Sequence, residues 1–220
     1  FGSPGAANDC AAPPVEADVV VNEIMQNPAA VSDSAGEWFE LFNPTAADVD
    51  IEGWTIKDDG SDSHVISNGG PLVVPAGGYL VLGNNTDSAT NGGATVAYSY
   101  GSNWFLSNSA DEVILLDTAL TEIDRGEYDG GPVFADTTGA SMALKDPALD
   151  NNDGANWCES GTAFGDGDFG SPGAANDCAV AGPTFVMIHD VQGPGFSSPL
   201  VGKTVIIEGV VVGDFQEGDA

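Results

Sequence analysis

Apolar residues in this chain come in short runs, and turn-forming residues interrupt them roughly every eight to twelve positions. Residues 19–25 (VVVNEIM) read as a strand, followed by a polar loop at 32–36. Residues 37–42 (EWFELF) alternate aromatic with acidic positions and stop at the Asn43–Pro44 turn. The segment 49–58 carries Ile51, Trp54 and Ile56 with a period near two, and 64–66 is a short strand. Residues 71–82 (PLVVPAGGYLVL) form two runs split by a turn at 75–78. Further strands are expected at 95–100, 104–106, 112–117, 122–128 and 141–144. From 146 to 178 the chain is mostly turn-formers and acids. No stretch keeps an apolar i, i+3, i+4 pattern for more than one turn, so a long amphipathic helix is not expected. Many short strands with frequent turns predict an all-β sandwich.

Composition sharpens this in one respect. The chain has 220 residues, 34 of them Asp or Glu, against four basic residues, for a net charge of −30. Such a surface attracts cations and stays soluble by self-repulsion. It opposes nucleic acid, whose affinity comes largely from Lys and Arg displacing counterions, so direct nucleic-acid binding is not expected. No run approaches the roughly 18 apolar residues of a membrane-spanning helix.

Residues 1–10 (FGSPGAANDC) recur unchanged at 169–178. The offset of 168 residues is far longer than the roughly 20 to 50 residues of solenoid and propeller repeats, and it matches a whole domain. The simplest organisation is a tandem array. Residues 1–10 are then the stump of a preceding repeat, 11–18 a Pro- and Ala-rich linker, 19–178 one complete domain, 179–184 a second linker, and 185–220 a different segment. Cys158 and Cys178 are spaced to close a loop of about twenty residues, and Cys10 matches Cys178 by position. A Cys158–Cys178 disulfide implies an oxidising, extracellular setting, the alternative being two buried free thiols.

The succession VVVNEIM, GEWFELFNP, DIEGWTIKDD and LVVPAGGYLVLG resembles the lamin-tail domain of the bacterial secreted type, over roughly residues 19–178. That resemblance implies an immunoglobulin-like β-sandwich, with Trp38 and Trp54 expected to fill the space between its sheets. The segment FVMIHDVQGPGFSSPLVGKTVIIEGVVVGDFQ is similar to the opening of the OB-like domain of large bacterial extracellular nucleases, with strands expected at 185–190 and 204–212. Such a barrel ordinarily has five strands, more than this segment supplies.

Candidate chemistry is sparse. His64 and His189 fall in different segments, and no nucleophile–base set assembles around either. Oxygen-rich loops are the better candidates, because Ca2+ takes six to eight oxygen ligands. Asp150, Asn152 and Asp153 open a loop of Ca2+-binding type without the flanking helices or distal Glu of an EF-hand. Asp166 and Asp168 could complete it. Asp58, Asp59 and Asp62 form a second, weaker set in a hairpin loop. Ca2+ is thus the one cofactor expected. Glu23, Glu37 and Glu40 resemble paired carboxylates, but solvent-facing positions or hydrogen bonds to nearby turns account for them. Asn84-Asn85-Thr86 fits a glycosylation acceptor. Tyr79, Tyr98, Tyr100, Trp104 and Phe105 could build a stacking platform or simply belong to the core and its edges.

Two functions compete. The first is a non-catalytic extracellular module, a spacer or attachment unit, in a secreted multidomain protein such as a nuclease. Its partners would be other domains of that chain or neighbouring copies. The second is a structural or adhesive surface protein that self-associates through exposed strand edges into filaments.

Overall fold

The structure is a computed structural model. It describes residues 19–178 and, further on, the backbone of two short strands. The chain divides into two units, Phe1–Ala179 and Val180–Ala220.

The first unit is an immunoglobulin-like β-sandwich. Its strands are β1 (Val20–Met25), β2 (Trp38–Phe42), β3 (Val49–Asp50), β4 (Thr55–Lys57), β5 (Ser63–Val65), β6 (Val73–Val74), β7 (Tyr79–Gly83), β8 (Tyr98–Ser99), β9 (Ala110–Leu116), β10 (Glu122–Asp129), β11 (Met142–Leu144), β12 (Trp157–Glu159), β13 (Ala163–Phe164) and β14 (Asp168–Phe169). One sheet runs β12-β11-β1-β2-β7-β8 and the other β10-β9-β4-β5. β3 pairs with β6 and β13 with β14 in two small ribbons. The only α-helical turn among the described residues is α1 (Asp33–Gly36), inside the loop expected to be polar.

Strand alternation assigns each side chain to a face. Ile24, Phe39, Leu41, Leu82, Met142 and Leu144 point inward and meet Ile56, Val113 and Leu115 of the second sheet. Phe39, Tyr100 and Trp104 form an aromatic knot within this core, with Phe39 and Trp104 centroids 5.5 Å apart and Tyr100 and Trp104 5.1 Å apart. Trp54 lies in the same core, as the sequence led us to expect. Trp38 does not. Odd–even alternation along β2 sends it to the opposite face, where it clusters with Met25, Val81, Ala94 and Val96. The six-stranded sheet is therefore buried on both faces, and something other than the second sheet must cover its outer side.

The run 49–58 is broken in two because Gly53, at φ +80°, turns the chain in a conformation that only glycine adopts without strain. Residues 104–106 form no strand, since Trp104 leaves the strand direction to enter the core. The acidic segment 146–178 is more ordered than its composition implies. It contributes β12 as a sheet edge, the 3-10 turn Gly154–Asn156, and the β13–β14 ribbon. In the second unit, Thr184–Phe185 and Val205–Ile206 pair in parallel. The rest of the segment expected to be OB-like, including His189, lies outside the described residues, as do residues 1–18.

Candidate interaction site

The outer face of the six-stranded sheet carries a pair of acids. The β1–β2 register shifts between Val21 and Glu23, a bulge that leaves Asn22 without a strand partner. Beyond it, Glu23 and Glu40 stand directly opposite each other on the two strands, and both are fully buried. Two carboxyls so placed cannot both stay ionised cheaply. Burial, then the charge of Glu23, pushes Glu40 up to about 8. Burial also raises Glu23, but more donors favour its ionised form. Its oxygens accept from Ser141 Oγ at 2.5 Å, Ser160 Oγ at 3.2 Å, Ser171 N at 2.8 Å and Ser171 Oγ at 2.9 Å. Glu40 accepts from Gly173 N at 2.6 Å and Asn22 Nδ2 at 2.8 Å. Near neutral pH Glu40 therefore keeps its proton.

Half of these donors come from the last ten residues of the domain, which lie across the sheet like a strap. Phe169 joins the backbone of Gly139 and Ser141, and Gly170 N donates to Thr162 O. Ser171 and Gly173 cap the two acids. Asn176 is buried and donates to Asn22 O at 2.9 Å and Leu144 O at 2.8 Å, while its Oδ1 accepts from Asn22 Nδ2 at 3.0 Å. Asp177 accepts from Gly161 N and Thr162 N at 2.6 and 2.5 Å. Cys178 is joined to Cys158 by a disulfide, with Cα atoms 6.2 Å apart. Phe164, from β13 before the strap, meets Trp38 edge-on with centroids 5.9 Å apart and closes the apolar half of the face. The sheet thus offers a groove with carboxyl acceptors, and the segment filling it supplies Ser, Gly N–H and Asn donors at matching intervals.

The sequence profile of the lamin tail domain matches residues 12–130. The chain belongs to the lamin tail domain family. No curated protein matches the sequence. The lamin tail match contains β1 and β2, hence Glu23 and Glu40, but ends before β11, β12 and the strap. The acids lie within the lamin tail match, and apart from Asn22 the donors that satisfy them come after it.

Nearby, buried Glu37 and half-buried Asp124 are also satisfied by hydrogen-bond donors. Glu37 accepts from Leu106 N at 3.2 Å and Asn84 Nδ2 at 3.0 Å, and burial pushes it up to about 7. Asp124 of β10 accepts from Val21 N at 2.6 Å, beside the bulge, and from Asn151 Nδ2 at 2.8 Å; burial pushes it up to about 6. The acids expected to be solvent-facing or tied to turns are therefore tied to turns, and buried.

The expected Ca2+ ligands take the following places. Asp168 is buried and accepts from the backbone N–H groups of Ala29 and Ala30, both at 3.0 Å, while Asp166 is exposed. Asp150 accepts from Asn152 N and Asp153 from Ala155 N, which makes the loop a self-capped turn. The buried member of that loop is Asn151, not Asn152. Asp59 pairs with Arg125 at 2.9 Å, and Asp58 accepts from Asp62 N. Among the described residues the one close set of three ligating side chains is Cys158, Asp177 and Cys178, whose sulfurs are already joined. Asn84 spends its amide on Asp33 O and Glu37, so a glycan there would break both bonds. Of the aromatic candidates, Tyr98, Tyr100 and Trp104 are buried, whereas Phe105 stands exposed at the mouth of a cavity of about 470 Å3 that Asp33 and Glu37 also line. His64 bonds Tyr98 Oη at 2.7 Å, a packing role at the edge of the second sheet.

Sequence reading missed Asn22, Asn176, Ser171 and Gly173 as partners of the acids. One signal was available: the strap is the segment repeated at residues 1–10.

Proposed function

We propose that this chain is a non-catalytic attachment module of a secreted multidomain protein, with an extracellular nuclease as the parent. The observation that supports this most is the closure of the domain upon itself. Asn22, near the start of the sandwich, and Asn176, near its end, are hydrogen-bonded, so the chain comes in and leaves at one place. A domain with adjoining ends hangs beside the chain as a pendant and adds little length to it, which suits an attachment unit better than a long spacer. The disulfide closing the strap supports an oxidising, extracellular environment. The two buried carboxyls that most resemble an acid–base pair are spent on the strap, which leaves them no opening toward a substrate.

The sheet edges favour this reading over filament growth by strand addition. β10 is an edge strand that carries Glu122, Asp124, Arg125, Glu127 and Asp129, and the other edge strands of the two main sheets, β5, β8 and β12, are three, two and three residues long. Charged or very short edges discourage pairing with another chain. In this reading Ca2+ acts as a counter-ion of a −30 surface.

The test is direct. The purified chain, incubated with single- and double-stranded DNA in Mg2+ and in Ca2+, should release no acid-soluble nucleotide. Turnover that persists through repeated purification would overturn the non-catalytic assignment. The genomic sequence beyond the codon for Ala220 tests the parent: a nuclease domain there supports it, and further sandwich copies alone contradict it.

A further inference from the structure

One groove is flanked in the sequence by two identical ligands. Beyond the backbone pairing of Phe169, the seated segment 169–178 makes its contacts described above through Gly170, Ser171, Gly173, Asn176, Asp177 and Cys178. Residues 1–10 hold the same six at Gly2, Ser3, Gly5, Asn8, Asp9 and Cys10, in the same spacing. We infer that residues 1–10 are an alternative occupant of the strap groove of their own chain, joined there by a Cys10–Cys158 disulfide.

Reach allows it. Cys10 precedes Val20, the first residue of β1, by ten residues, and an extended chain covers about 3.3 Å per residue, or roughly 33 Å. From β1 to β12, where Cys158 sits, the groove crosses two strand spacings, about 10 Å. A segment tethered this closely has an effective concentration on the order of millimolar, so in micromolar solution it outcompetes the same segment of another molecule about a thousandfold. The two occupants bring the same side chains and backbone donors to the same acceptors, so their contacts cancel and the tethers set the balance.

The covalent step needs no oxidant. The Cys10 thiolate attacks Sγ of Cys158, the Cys10–Cys158 bond forms as the Cys158–Cys178 bond breaks, and Cys178 leaves as a thiolate that takes up the proton Cys10 gave away. One disulfide and one thiol stand on each side. Nothing here depends on the proposed parent protein, and a failure of either idea leaves the other standing.

The experiment uses the 220-residue chain with Cys178→Ser, equilibrated in glutathione redox buffer, digested without reduction and mapped by mass spectrometry. Peptides containing the two decapeptides differ in the residues after the cysteine position, Ala-Ala-Pro after Cys10 and Ala-Val-Ala after residue 178. The expected result is a Cys10–Cys158 linkage in a protein that elutes as a monomer. Adding Asn8→Ala should lower the linked fraction about tenfold, because the two carbonyls bonded by Asn176 in the seated strap would lose their donor. Unlinked Cys10 and Cys158 overturn the inference. So does a disulfide-joined dimer, which would name a second copy as the occupant, and so does a linked fraction indifferent to Asn8, which would mean chance pairing of the two remaining thiols. Should the Cys178→Ser chain not fold, the unsubstituted protein in the same buffer serves. Peptides for both Cys158–Cys178 and Cys10–Cys158 support the exchange, and Cys158–Cys178 alone refutes it.

Discussion

Replacing Glu40 by Gln separates the buried acid pair from everything else that titrates. Burial raises the Glu40 carboxyl from its ordinary 4.5 to about 8 in the folded protein. A raised carboxyl means that the folded state binds its proton more tightly than the unfolded chain does. The stability this group contributes is complete below about 4.5 and is lost progressively as pH rises through 8. Between about pH 5.5 and 8.5 the loss assignable to Glu40 is on the order of 3 kcal/mol. In Glu40→Gln that slope disappears, while the self-repulsion of the −30 surface stays nearly the same in both proteins. The substitution carries its own cost, because the carboxamide must turn its NH2 toward either Gly173 N–H or Asn22 Nδ2, both of which are donors. One conflicting donor pair costs about 1–2 kcal/mol. Urea unfolding at a series of pH values should therefore show curves that cross, with the variant weaker in acid and stronger in mild alkali. Parallel curves, agreeing in slope to within about 1 kcal/mol over that range, would mean that Glu40 is ionised in the folded domain and the pair is not what we describe.

Asn176→Ala leaves the carbonyls of Asn22 and Leu144 without their buried donor, and should cost about 2–4 kcal/mol, seen as a fall in melting temperature of roughly 5–15 °C. Cys158→Ser removes the disulfide whichever cysteine it pairs with. The twenty-residue separation corresponds to about 3 kcal/mol, so equilibrium unfolding at fixed pH should show a loss of that size, and an unchanged midpoint would count against the strap as a structural element. Trp104→Ala empties the centre of the aromatic knot and should cost about 3–5 kcal/mol, whereas Phe105→Ala, one residue along and exposed, should change stability by less than about 0.5 kcal/mol; equal effects would place Trp104 outside the core.

The β-sandwich class was legible in the linear pattern because strand alternation and turn chemistry are local properties. Residues 19–25, 37–42, 112–117 and 122–128 appear as strands within about two residues of the expected ends. The cysteine pair was legible as well, since loop spacing and the duplicated segment both bear on it. Alternation alone cannot say which of two faces points at the other sheet. Trp38 was expected between the sheets and lies on the outer face, because a period of two identifies a side but not its neighbour.

The acids show the same boundary from the polar side. In the sequence Glu23 and Glu40 are polar positions of strands and read as solvent-facing or bonded to turns. They are instead buried beneath a segment more than 130 residues away in the chain, whose donors make their burial tolerable. Likewise the hydrogen bonds from backbone N–H groups to Asp150, Asp153 and Asp168 were not legible in the spacing of these acids. Local sequence settled that this chain forms short strands and sharp turns, since each depends on neighbours within a few residues, while cysteine spacing and the duplicated decapeptide pointed to the cross-linked end. Tertiary structure alone decided which carboxyls are buried and who satisfies them, because desolvation and hydrogen bonding depend on what comes to lie overhead, and only the folded chain brings residues 22, 40 and 176 together.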